Sequence, residues 1–214
     1  MGRVSTDMEV KDLHRLAGQG DLIAYFGYGS LVNPKTHRTN VVRHVRARLH
    51  GFARKWQARP EDVEFPVALL SSYPTESQAT VDGLLIFDSV ESLPSLDERE
   101  AEYDRLELSP DRLSMPDSAV LPDCPIYVYT GRAPYTPEKE HFILQSYLDA
   151  VLQGFLHLYG EDGARNFVAR TAAFDTKLLL DRHEPHYSRS VELSSGEMAL
   201  IDEMTGFMNR TTAK

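Results

Sequence analysis

The stretch Leu22-Ile23-Ala24-Tyr25-Phe26-Gly27-Tyr28-Gly29-Ser30-Leu31 constrains this chain more than any other. Five apolar residues in a row, with no polar alternation, call for burial on both faces and read as an interior strand. Two glycines then break the run, and Ser30, Asn33 and Pro34 carry the chain into a turn. A glycine has no Cβ, so other groups can come close to its backbone. Successive N–H groups at such a turn make a small anion-binding concavity. The turn therefore has two readings, a cradle for a carboxylate or oxyanion and a strand-ending turn that binds nothing.

Charge and cysteine content narrow the field. The formal net charge of −9 argues against a nucleic-acid or anionic-membrane partner, so any anion must be held by a local site. Cys124 stands alone, which excludes an intrachain disulfide and a Cys-x-x-Cys metal site. No apolar run is long enough to span a bilayer, and the first residues lack the apolar core of a signal peptide, so a cytoplasmic protein is expected. Met1-Gly2-Arg3-Val4-Ser5-Thr6 fits the permissive myristoylation pattern. No polybasic patch or second lipid site accompanies it, and no membrane partner is expected.

Taken in order, residues 1–20 read as a polar, helix-prone arm. Val45, Ala47 and Leu49 alternate with Arg46, Arg48 and His50, a strand with one wet face, and Gly51 turns the chain into a strand at Phe52–Trp56. The basic cluster Arg43–Arg59 is thus read as a solvated strand face. Phe65–Ser71, Thr80–Asp88 and Ile126–Thr130 are further strands, with Tyr127 and Tyr129 on one face. Ser89–Leu106 changes period and reads as a helix, and Met115–Pro125 as a loop. Apolar residues at helical spacing fill Glu138–Tyr159, capped by Gly160, and Asp162–Phe174 reads as a second helix. The dense polar segment Asp181–Arg189 follows a short apolar one at Lys177–Leu180. The expected class is α+β, with a sheet curled towards a barrel. The expected units are an arm (1–20), a barrel domain (21–136) and a helical C-terminal extension (137–214).

Five acidic residues crowd the helix predicted within Ser89–Leu106. At about 100° per residue, Leu93, Leu96 and Tyr103 define one face, and Glu100 lies within about 30° of its centre. Glu98 and Glu102 point to the solvent side. An inward glutamate is either half of an ion pair, with Arg105 or Arg54 as partner, or a general acid/base made more basic by desolvation. Other constellations are weaker. Pro185 breaks any helix that would align His183 and His186 on a metal, and Ser30 lacks the Gly-x-Ser-x-Gly frame of a nucleophile elbow. No metal and no cofactor is expected.

Tyr28-Gly29-Ser30-Leu31 after an apolar strand resembles the YGSL signature of the γ-glutamylcyclotransferase-like superfamily, which includes the ChaC and AIG2-like proteins. Leu96-Asp97-Glu98-Arg99-Glu100, followed by Tyr103 and Arg105, resembles that family's LDxxE helix and trailing Y-x-R. Leu49–Arg54 and Val81–Phe87 resemble further family elements, and the order and spacing match over roughly residues 22–131. Beyond residue 131 the resemblance thins to a D-R-x-x-P-x-Y-x-R run.

The resemblance implies a small mixed β-barrel with flanking helices. It implies Glu100 as the catalytic acid/base, and Tyr28, Gly29, Ser30, Leu31, Tyr103 and Arg105 as substrate-binding residues. It also implies cleavage of a γ-glutamyl amide to 5-oxoproline and an amine, on a small-molecule substrate. A metabolite-binding module without catalysis, or amide or carbamoyl chemistry on another small substrate, are the alternatives.

Overall fold

The computed structural model describes residues 10–58, 66–76, 78–116, 121–132 and 141–206. The Gly2 pattern, Arg59, Phe65 and the composition shift at Pro137 lie outside them. In chain order the elements are α1 (Val10–Gln19), β1 (Leu22–Gly27), β2 (Val41–His50), β3 (Phe52–Ala58), β4 (Ala68–Pro74) and β5 (Thr80–Ser89). Next come α2 (Leu93–Arg99), β6 (Tyr103–Glu107), β7 (Leu113–Ser114), β8 (Ile126–Gly131) and β9 (Ile143–Leu144). The chain continues with α3 (Gln145–Arg170), β10 (Thr171–Ala172), β11 (Leu178–Leu179) and α4 (Ser195–Thr205).

The strand read from Leu22–Phe26 is an interior one, buried at every residue. It lies in a mixed sheet of order β6-β8-β1-β5-β2-β7, antiparallel to β5 and parallel to β8. A second sheet, β10-β3-β4, and the small pair β11-β9 complete the architecture. The α+β class holds. Among the described residues these sheets remain separate and do not close into a barrel.

The helix expected over Ser89–Leu106 stops at Arg99. Tyr103–Glu107 is instead a strand, pairing antiparallel with β8 from Tyr103↔Gly131 to Glu107↔Tyr127. Charged residues at both periods made the sequence ambiguous there, and the open edge of β8 decided it. In the arm, Val10–Gln19 forms a helix that buries Leu13 against the core. The basic cluster is also not one wet face. Arg46 and Arg48 are exposed, but Arg54 keeps only 3% of its surface and lies 4.3 Å from the Phe167 ring centroid.

Residues after 141 are woven into the same core. Leu148, Val151, Leu152 and Phe155 of α3 join the β1 and β5 side chains there, and β10 pairs with β3. The helix begins at Gln145, later than the pattern predicts, because Ile143–Leu144 pairs with β11. Gly160 interrupts it at a φ of 69°, a backbone state that costs glycine little.

At Gly154, α3 packs tightly against the glycine turn. A Cβ there would sit 2.8 Å from the Asn33 nitrogen and 2.9 Å from its Cα. Asn33 is itself buried and donates to Ala150 O (3.0 Å) and Gln153 Oε1 (3.1 Å). Gly154→Ala should therefore cost about 1–3 kcal/mol, the usual range for overpacking a tight contact. Urea denaturation measures it. Wild-type stability in this variant would mean that the helix can shift away from the turn without cost.

Candidate functional site

The turn after β1 is built from two short 3₁₀ segments, Ser30–Val32 and Pro34–Thr36, joined through Asn33. Asn33 Oδ1 accepts from the Lys35 amide (3.1 Å), while Thr36 Oγ1 donates back to Ser30 O (2.8 Å). The first contact satisfies an amide that the tight turn leaves without a backbone partner, and the second adds to a carbonyl that already accepts from the Asn33 amide. Beneath the turn, the buried Arg54 donates to Tyr28 O (3.3 Å). Burial pushes this guanidinium down to about 9.

Gly29 is a glycine because of what stands over it. A Cβ at this position would meet the Tyr147 hydroxyl at 2.8 Å and Leu70 Cδ2 at 3.0 Å. Tyr147 comes from the first turn of α3, and its ring packs edge-on against Trp56 (5.8 Å) and Tyr187 (4.9 Å). The expected polar segment at Asp181–Arg189 thus reaches the site through Tyr187. It is fastened there by Asp181, a buried carboxylate that accepts from the Ser146 amide (2.7 Å), Ser146 Oγ (2.6 Å) and the His186 amide (2.9 Å).

Tyr28, Gly29, Ser30 and Leu31 line a cavity of about 30 Å³ together with Leu70, Glu100, Tyr103, Tyr129 and Tyr147. That is about the volume of one water molecule, so a larger ligand enters only as these walls move. Tyr28 donates to Tyr129 O (2.6 Å) and Tyr103 to Leu70 O (3.0 Å). Desolvation raises the pKa of Tyr28, Tyr103, Tyr129 and Tyr147. All four stay protonated at neutral pH, as hydrogen-bond donors and not as bases.

Glu100 is the only carboxylate among the lining residues. It sits at the C-terminal cap of α2, its amide bonded to Leu96 O (3.0 Å), and its side chain keeps 15% of its surface. The helical register from buried Leu96 therefore holds as far as Glu100 and no further. Tyr103 arrives at the cavity from strand β6, so its place on the predicted helical face was right in outcome and wrong in cause.

Its ion-pair partner is neither Arg105 nor Arg54 but the preceding residue, Arg99, at 2.9 Å. Arg99 also donates to Thr36 O (2.8 Å) and towards Ser30 Oγ (3.4 Å), which ties α2 to the glycine turn. Arg105 lies outside the cavity wall. It pairs with Asp97 (2.5 Å), and Asp97 accepts from the Tyr129 hydroxyl (2.7 Å). Arg105 thus touches the site only through Asp97 and Tyr129.

Sequence reasoning singled out most of the cavity. It missed Leu70, and it noted Tyr147 only as an apolar helix position. The missed signal was a tyrosine one turn inside a helix start, whose hydroxyl needs a partner when buried. Among the described residues, no group of three or more His, Cys, Asp or Glu is placed to hold a metal, and His186 leans on Asp181 at 3.6 Å. No helix among them is long and apolar enough to cross a membrane.

Burial raises the pKa of Glu100, while Arg99 and Arg189 act against it. A carboxyl whose proton affinity is higher in the folded state favours folding at low pH and loses that contribution as pH rises through its folded value. Glu100→Gln should therefore be at least as stable as wild type at pH 8. The variant's advantage should vanish below the ordinary glutamate value of about 4.3. Denaturation at both pH values tests the sign, and a less stable variant at pH 8 would mean that the Arg99 pair outweighs desolvation.

No family model and no curated protein matches the chain. Solved structures do. A γ-glutamyl cyclotransferase is 15% identical over 86% of this chain and 99% of its own, with a TM-score of 0.51. An uncharacterized protein from Homo sapiens is 16% identical over 85% of this chain and 99% of its own, at 0.48. A yeast γ-glutamyl cyclotransferase specific to glutathione is 17% identical over 89% and 97%, at 0.43. At these identities the likeness concerns the fold, and it is read from the first of the three.

Proposed function

We propose that this chain, whose fold is that of a γ-glutamyl cyclotransferase, cleaves a γ-glutamyl amide by internal attack of the substrate's own α-amine. One observation carries the reading. The only carboxylate among the cavity-lining residues is desolvated, made more basic, and set facing a glycine turn across a tyrosine-walled space.

The reaction suits such a sparse site. A tethered nucleophile needs to be folded into attack geometry more than it needs to be captured, which is a positioning task. The backbone of Tyr28–Leu31 holds the substrate's α-carboxylate or the developing oxyanion. For the substrate to reach that backbone, the Tyr147 hydroxyl gives up its place against Gly29. Glu100 takes a proton from the α-ammonium, freeing the lone pair. The nitrogen then bonds to the γ-carbonyl carbon and closes a five-membered ring. As the bond to the departing nitrogen breaks, Glu100 returns that proton to it. The ring nitrogen then gives up its own extra proton through the same carboxylate to the expelled amine, leaving the uncharged lactam of 5-oxoproline and an ammonium. One carboxylate serves every transfer, and the protonated tyrosines wall the space around it. Tyr103 lines the space, and Arg105 acts at a distance by holding Asp97 on Tyr129.

The test is 5-oxoproline release from a panel of γ-glutamyl amides. Glu100→Gln keeps the volume and loses the exchangeable proton, so activity should fall by about 10⁴-fold, the upper end for a general acid/base. Glu91→Gln, exposed at the head of α2, should stay within about twofold of wild type. An N-acetylated γ-glutamyl compound should not react, since its amine is no longer nucleophilic. Full turnover by Glu100→Gln, or turnover of the acetylated compound, would overturn the mechanism.

A further inference from the structure

On the far side of the Arg99–Glu100 pair lies a second, roomier cleft of about 310 Å³. Leu31 lines both spaces, and Arg99 faces the cleft while its guanidinium holds Glu100 in the inner cavity. The cleft is cationic in a chain whose net charge is −9. Arg38, Arg99 and Arg189 line it, against a single acidic residue, the exposed Glu98.

These cations are not equivalent. Arg38 donates to Lys35 O and His37 O, and Arg99 is engaged with Glu100 and Thr36. His37 presents Nε2 to Leu31 O at 2.8 Å, and burial pushes its pKa down to about 4, so it brings no charge at neutral pH. Arg189 is half-buried and is involved in no hydrogen bond or ion pair among the described residues. Its charge still reaches Glu100 and favours the ionised carboxylate. A half-buried guanidinium that lines the same cleft as Arg99 and has no ion-pair partner of its own among the described residues favours an anion there.

The cleft also adjoins the proposed reaction site. The departing nitrogen is protonated by Glu100, and the cleft shares Leu31 with the inner cavity and is lined by the Arg99 that pairs with Glu100, so it is a neighbouring space for the substituents of that nitrogen. Resting on that reading, we propose that this cleft is an anion subsite for the departing half of the substrate. Arg189, carried in by the C-terminal segment, is the residue that distinguishes a carboxylate-bearing leaving amine from a neutral one.

The experiment separates binding from turnover. γ-Glutamylalanine and γ-glutamylalaninamide share the γ-glutamyl unit and differ in one charge. Titrated calorimetrically into the Glu100→Gln protein, which accumulates no product, the acid should bind about tenfold more tightly than the amide. Adding Arg189→Gln should erase that difference by weakening the acid alone, while Arg189→Lys should retain part of it. Equal affinities in the Glu100→Gln protein, a preference that survives Arg189→Gln, or binding of neither ligand would overturn the subsite. Turnover is read independently with the wild-type enzyme. If neither compound yields 5-oxoproline, the cyclotransferase reading fails, and the calorimetric result still decides whether the cleft selects an anion.

Discussion

A carboxylate held largely out of water beside the guanidinium of its own sequence neighbour is the constraint around which this structure is arranged. An isolated buried charge is prohibitively expensive, and a fully paired one is chemically idle. Glu100 sits between these limits. Burial outweighs the opposing influence of Arg99 and Arg189, and its proton affinity ends above that of a free glutamate. The same Arg99 reaches Thr36 and Ser30, so the group that tempers the acid also fixes the distance from α2 to the glycine turn.

The second requirement is backbone proximity. β1 is saturated with partners on both sides, and its continuation must turn at once beneath a helix that comes from much later in the chain. Gly154 lets α3 settle against Asn33, and Gly29 lets Tyr147 settle against the turn. Asp181 then holds the start of that helix by both the backbone and the side chain of Ser146. Arg182, next to it, pairs with Asp149 and Asp202 and so joins α3 to α4. The segment whose polarity marked it as something other than core is a mostly exposed strap pinned by the buried Asp181 and the half-buried Arg182. Those two residues work on structure, while Tyr187 packs on Tyr147 and Arg189 lines the outer cleft.

What was legible in the sequence followed from strong, local patterns. An unbroken apolar run ended by glycines can hardly be anything but an interior strand with a turn at its end. The step from Leu96 to Glu100 is about one helical turn, so helical geometry identified the inward acid even though the helix ends there. Where the chain is charged at every period, as from Glu98 to Glu107, local pattern carried no information, and pairing with β8 prevailed. Arg54 was misread for a related reason. Alternation puts it on the same face as Phe52 and Trp56, both buried, but its charge argued for water, and nothing local reveals that Phe155 and Phe167, a hundred positions away, would enclose it. The choice of Arg99 over more distant arginines was likewise invisible, because adjacent residues do not face each other on a regular helix. Glu100 meets Arg99 since its backbone has already left helical geometry, at φ −103° and ψ 29°.

The parallel pairing of β1 with β8 has a consequence for how the molecule comes into being. Ala24 lies beside Ile126, Asn33 is held by Ala150, and Gly29 is covered by a tyrosine from the same helix. Contacts of such long sequence separation form only after their loop-closure entropy has been met, which makes them late events in folding. On a ribosome, where the chain emerges from its N-terminus, the glycine turn is made early and stays without its lid until α3 has cleared the exit. The nascent protein therefore carries an unfinished β1 until α3 has emerged, and acquires site and stability together at that point.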